Sequence, residues 1–130
     1  MVDVEALASI AVDCGYHLHK DVGPGLFESV YEIVLAERLT KRGLVVERQK
    51  QIAFQIDDIE FSDGFRADLL INGRLLIELK SVESLAPIHT KQVVTYLRLM
   101  NLPLGLLMNF GAAQFRDGIR RIVNAHSAPN

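Results

Sequence analysis

The chain has 130 residues, 49% of them hydrophobic, which suits one globular domain with a core large enough to fold without disulfides or metal staples. The single cysteine, Cys14, excludes an internal disulfide, cysteine-ligated zinc and an iron–sulfur cluster within one chain. A formal net charge of −2 argues against a strong stand-alone nucleic-acid-binding surface, which needs a basic surplus, although a divalent cation at an acidic site reverses the local sign.

Residues 3–20 carry Leu7, Ile10, Ala11, Cys14 and Leu18 on one helical stripe, with Asp3 as the N-cap and Gly23-Pro24-Gly25 as the break. A second helix is predicted over 26–42, with Phe27, Val30, Tyr31, Val34 and Leu35 on one side and Gly43 at its end. From Leu44 the period falls towards two. Val46, Ile52, Phe54 and Ile56 predict a strand broken by the polar stretch 47–51, and Asp57-Asp58 and Ser62-Asp63-Gly64 read as turns. The runs 65–71 and 74–80 flank Asn72-Gly73, a strong hairpin signal. Pro87 precedes a helix over 88–100, and Pro103 punctuates its end. The unbroken apolar run 104–110 predicts a strand buried on both faces. Gly111 and Asp117-Gly118 are turns, 119–123 is an extra C-terminal strand, and 125–130 is a flexible tail, which leaves one domain over 1–124.

The order α-α-β-β-β-α-β predicts an α/β fold, a mixed β-sheet flanked by helices and not a doubly wound nucleotide fold. Neither GxGxxG nor a Walker sequence is present. No signal peptide and no membrane-length apolar run is found, so the expectation is a cytoplasmic chain with no membrane partner.

Asp68 interrupts the apolar run Ala67, Leu69, Leu70, Ile71, and Glu78 and Lys80 interrupt Leu75, Leu76, Ile77, Leu79. Charges inside such runs are costly to bury unless paired or metal-bound. Strand alternation puts Glu78 and Lys80 on one face. If Asp68 joins them, two carboxylates offer hard oxygens to Mg²⁺ or Mn²⁺, which stabilises charge on a phosphodiester and activates a water, with Lys80 positioning it or neutralising the phosphate. A strict two-residue turn at Asn72-Gly73 pairs Asp68 with Ile77 and separates the acids. A three-residue connection or a bulge pairs Asp68 with Glu78 and unites them, so a site requires the second register. The competing reading of these residues is an ion-pair cluster on a solvated edge.

Asp68, nine intervening residues and then Glu78-Leu79-Lys80 resembles the core motif of the PD-(D/E)XK nuclease superfamily. Gln92-x-x-x-Tyr96 resembles the helical motif of its RecB-like branch. Gly25-x-x-Glu28-x-x-Tyr31 is similar to the motif that names the GxxExxY proteins, a small branch of the same superfamily. The likeness continues in order through Gly23-Pro24-Gly25, His89-x-x-Gln92, Tyr96-Leu97, Asn109-Phe110-Gly111 and Asp117-Gly118-Ile119; Ala67 stands where the motif's proline varies. The resemblance implies a restriction-endonuclease-like α-β-β-β-α-β core. It also implies Asp68, Glu78, the Leu79 carbonyl and the helical acid Glu28 as metal ligands, Lys80 as catalytic lysine, and Gln92 and Tyr96 as groups orienting substrate.

From spacing alone, Tyr31 lies on the apolar stripe and reads as core with its hydroxyl satisfied. His89, Gln92 and Tyr96 share a helical face; His89 fits a helix cap or a phosphate contact. His17, His19 and His126 have no partners at metal-ligand spacing. Two functions compete. One is an Mg²⁺- or Mn²⁺-dependent nuclease acting on DNA in preference to RNA. The other is a catalytically inactive nuclease-fold module that binds protein or nucleic acid, as a homodimer or with a larger partner.

Overall fold

The computed structural model describes residues 3–125. Asp3 caps the first helix, α1 (Val4–Val22), its carboxylate accepting the Ala6 N–H at 2.8 Å. After the Gly23–Leu26 turn, α2 (Glu28–Lys41) packs on α1 through Tyr31, Leu35 and Leu39. A five-stranded sheet follows in the spatial order β1-β2-β3-β4-β5, formed by β1 (Val46–Ile56), β2 (Ile59–Ile71), β3 (Leu75–Lys80), β4 (Leu104–Asn109) and β5 (Ile119–Val123). Helix α3 (Pro87–Met100), with proline at its first turn, crosses between β3 and β4, the one parallel pair among the described residues. A four-residue helix, α4 (Phe115–Gly118), precedes β5.

The sheet is covered on both faces. Leu75, Ile77 and Leu79 of β3, with Leu104, Leu106 and Met108 of β4, pack under α1 and α2. Leu76, Leu107, Ala67 and Ile122 pack under Val93 and Leu97 of α3. Glu78 and Lys80 are in phase with Leu76 and so stand on the α3 face. Strand β4 is buried along its whole length, as its apolar run requires.

Three expectations are corrected. The polar stretch 47–51 does not break β1, which runs unbroken as an edge strand whose side chains can meet solvent or ion partners. Ser62-Asp63-Gly64 lies inside β2 and is not a turn. There Gly64 faces the Phe54 ring so closely that a Cβ would sit 2.0 Å from it, beside a register shift between Ile52 and Phe54. The turn expected at Asp117-Gly118 is the end of a short helix, α4, that begins at Phe115. Of the expected tail, Ala125 alone falls among the described residues, and His126 lies outside them.

Close backbone approach fixes the C-terminal end of the sheet. Phe110 N–H donates to the Lys80 carbonyl at 2.9 Å, and the buried Asn109 side chain accepts from Val82 and Gly111 N–H at 3.0 Å each. A Cβ on Gly111 would lie 2.2 Å from the Val82 carbonyl, so only glycine fits.

Candidate active site

Strands β2 and β3 pair at Ile71–Leu75, Leu70–Leu76 and Leu69–Ile77. Their connection is therefore the three residues Asn72, Gly73 and Arg74, the register in which Asp68 falls opposite Glu78. Asn72 and Gly73 have φ of 51° and 66°, and Arg74 N–H donates to the Ile71 carbonyl at 3.0 Å. On its other side Asn72 is held by Val45, through N–H to carbonyl at 2.8 Å and through its side-chain oxygen at 2.7 Å. That second grip leaves Arg74 as the extra residue.

Beyond Leu69 and Ile77 the regular ladder stops, and two carboxylates take its place. Glu78 Oε2 accepts the Asp68 N–H at 2.7 Å, while Asp68 Oδ2 accepts the Leu79 N–H at 2.9 Å. Each acid thus satisfies the backbone of the facing strand.

Further polar groups reach the acids from α2 and β1. Asp68 Oδ1 accepts from Gln49 Nε2 at 3.2 Å, and the same nitrogen donates to Glu32 Oε1 at 2.6 Å. The buried Glu32 also accepts from Arg48 Nε and Nη2 at 3.2 and 3.1 Å. Arg48 and Gln49 are consecutive strand residues, which normally point to opposite faces. Gln49 adopts φ 49°, a left-handed conformation costing about 1–2 kcal/mol, and both side chains reach Glu32.

Glu78 is only 4% exposed. Burial and then the negative charge of Asp68 push its carboxyl up to about 8, Glu32 adding in the same direction. The Asp68 N–H and the Lys80 ammonium oppose the rise without cancelling it. Tyr96 feels the same acids. Its phenol is raised first by burial, then by Glu78 and Asp68, and its ring stacks on Phe65 with centroids 3.8 Å apart and planes at 13°. Gln92 is half-buried one turn before it on the same face of α3.

The structure thus gathers Asp68, Glu78 and Lys80, with Tyr96 close enough to sense the acids. His89 caps α3, its Nδ1 accepting the Ala86 N–H at 3.0 Å, so the ring proton sits on Nε2. Glu28 is exposed at the first residue of α2. The α2 acid brought to Asp68 is instead Glu32, one turn on. Neither Glu32 nor Arg48 and Gln49 was singled out from sequence. The available signal was Glu32 in phase with the buried Ala36 and Leu39. Tyr31 is core: it stacks on Phe110 at 4.6 Å, donates to the Gly23 carbonyl at 2.6 Å and accepts the Leu26 N–H at 3.1 Å. His19 is buried against the Ala112 carbonyl at 2.8 Å, and His17 lies against the Asp13 carbonyl at 2.9 Å.

Among the described residues no three of histidine, cysteine, aspartate and glutamate close on one point. The donors that are present, two carboxylates, match a hard cation. Burial first and then the Asp68 charge make the ionised form of Glu78 costly, and a divalent ion between the two carboxyls would offset that cost.

A family model described as the PD-(D/E)XK nuclease superfamily matches residues 5–122. The chain belongs to the PD-(D/E)XK nuclease superfamily. No curated protein and no solved structure matches it. The mixed five-stranded sheet flanked by helices is the restriction-endonuclease-like core of that superfamily. As a PD-(D/E)XK protein, its substrate class is nucleic acid, and divalent metals are the superfamily's general cofactor. Among the described residues no helix is long and apolar enough to cross a membrane.

Proposed function

We propose that this PD-(D/E)XK domain, spanning residues 1–124, is an Mg²⁺- or Mn²⁺-dependent phosphodiesterase acting on DNA in preference to RNA, in the cytoplasm. The observation that carries the reading is the reciprocal seating of Asp68 and Glu78 where the β2–β3 ladder stops. A buried acid, Glu78, facing a half-buried one, Asp68, is costly, and an apolar or singly charged pair would fill that gap at lower cost. Asp68 and Glu78 would hold the cation, with the Leu79 carbonyl beside them; Glu28 stands exposed at the start of α2, and the α2 acid linked to the pair is Glu32, through Gln49. Bound there, the ion supplies Lewis-acid stabilisation of charge gathering on the phosphodiester.

The chain's own groups do the rest. Gln49, fixed by Glu32, keeps the Asp68 carboxylate oriented between its two donors. Lys80, sharing the α3 face with Glu78, faces the scissile phosphate as an ammonium and offsets its charge. Tyr96, kept protonated, is a hydrogen-bond donor on that face, and Gln92 and His89 line the approach to it. The GxxExxY likeness assigns its glycine and tyrosine a structural part, because Tyr31 clamps the turn that starts α2.

A second reading is a nuclease-fold module that binds without cleaving, alone, as a homodimer or on a larger partner. It draws on the net charge of −2 and on the absence, among the described residues, of a three-ligand cage. Incubating the protein with Mn²⁺ and single-stranded, duplex and branched DNAs separates the two. Cleavage that is lost in Lys80→Ala supports the nuclease; intact substrates throughout support the binding module.

A further inference from the structure

Phe27 is 82% exposed, the most exposed large hydrophobic side chain among the described residues. Its support is firm. The preceding Leu26 donates its N–H to the buried Tyr31 hydroxyl at 3.1 Å and accepts the Ser81 hydroxyl on its carbonyl at 2.6 Å. Ser81 directly follows Lys80, so the ring stands beside the end of β3. The following residue begins α2.

A polar groove on β1 and β2 is lined by Glu47, Arg48, Gln49, Lys50, Gln51 and Arg66. Gln49 is the residue that donates to Asp68, so the groove runs up to the site. Within it Arg48 is committed to Glu32, and Lys50 faces Glu47 at 3.0 Å. Arg66 is exposed on β2 and pairs with neither of these acids.

A chain of net charge −2 cannot grip a duplex by a broad basic face. An exposed ring beside the end of β3 and an exposed arginine in the groove that reaches Gln49 suit a strand whose bases are unpaired. Stacking on an aromatic ring tolerates any sequence and adds affinity without many phosphate contacts. We propose that the site takes single-stranded nucleic acid, with Phe27 stacking on a base and Arg66 contacting a phosphate. This deepens the nuclease reading and rests on it for where the strand crosses.

The chain contains no tryptophan, so Phe27→Trp introduces a single reporter. Oligothymidylate, oligouridylate and a duplex are titrated with Ca²⁺ in place of Mn²⁺, so that binding is read without turnover. Saturable quenching by the single strands, weaker with the duplex, is expected. Phe27→Ala should weaken single-strand binding about tenfold at unchanged melting temperature, and Arg66→Ala should lower the salt slope by about one. No quenching, or affinity indifferent to Phe27→Ala, overturns the inference. So does an oligomer that Phe27→Ala dissociates at unchanged oligonucleotide affinity, which assigns the patch to protein contact. Cleavage without quenching ends this inference alone, and quenching by a protein inert with Mn²⁺ ends the nuclease reading alone.

Discussion

Glu78 accepts the backbone N–H of Asp68 at 2.7 Å, and Asp68 accepts the N–H of Leu79, the residue after Glu78, at 2.9 Å. The two side chains therefore replace ladder hydrogen bonds while setting a buried carboxyl, Glu78, against a half-buried one, Asp68. Structure and charge are in tension at this point, and the following consequences can be measured.

Glu78→Gln keeps the acceptor for Asp68 N–H and removes the charge. The folded-state pKa of Glu78 is raised from 4.5 to about 8, so the native protein prefers the protonated acid. Its contribution is fully favourable below the unfolded value and is lost as pH rises through the folded one. The metal-free wild type should lose stability as pH rises from 4.5 to about 8. The variant should show a flatter profile and melt higher than wild type in the alkaline range, by roughly 4–8 °C for a gain of ~2 kcal/mol. Thermal melts in EDTA across that range check it; identical profiles would contradict the buried charge.

Glu32→Ala strands the Arg48 guanidinium and releases Gln49 from its strained conformation. Because the Arg48 left behind is exposed, the loss should cost about 1–2 kcal/mol, read from urea unfolding. Glu28→Ala, at an exposed helix start, should stay within about 0.5 kcal/mol of wild type. If Glu28 serves the metal, its variant still loses cleavage, so stability and activity separate the two acids.

Lys80→Ala should retain the Mn²⁺-induced rise in melting temperature yet lose cleavage by about 10²–10³-fold, since it removes charge stabilisation at the phosphate and not a ligand. Retained cleavage would contradict the role assigned to the ammonium.

Tyr96→Phe keeps the ring on Phe65 and deletes only the hydroxyl. The melting temperature should hold while kcat falls about tenfold, with KM little changed. A drop in stability with unaltered kcat would make Tyr96 a packing residue only.

Much of this was legible in the sequence. Apolar alternation gave the α-α-β-β-β-α-β order, and charges inside apolar strands pointed to Asp68, Glu78 and Lys80. The register was legible only as a condition, because the hairpin signal at Asn72-Gly73 says nothing of Val45, whose grip on Asn72 adds Arg74 to the connection. Residues 47–51 misled, since polarity reads as a break when the strand is an edge and its side chains serve Glu32. Glu32 was hidden by the Gly25–Tyr31 motif, which ends one residue before it. Gly64 read as a turn because only the cross-strand Phe54 ring explains it.

The most direct test of a divalent cation at Asp68 and Glu78 is calorimetric titration of Mn²⁺ into the wild type in buffers of different ionisation heat. Because Glu78 titrates at about 8, metal bound near neutral pH must expel its proton. The account predicts saturable binding whose heat changes with the buffer, and its loss in Asp68→Asn and Glu78→Gln. Binding that survives both substitutions, or no binding to the wild type, would contradict it.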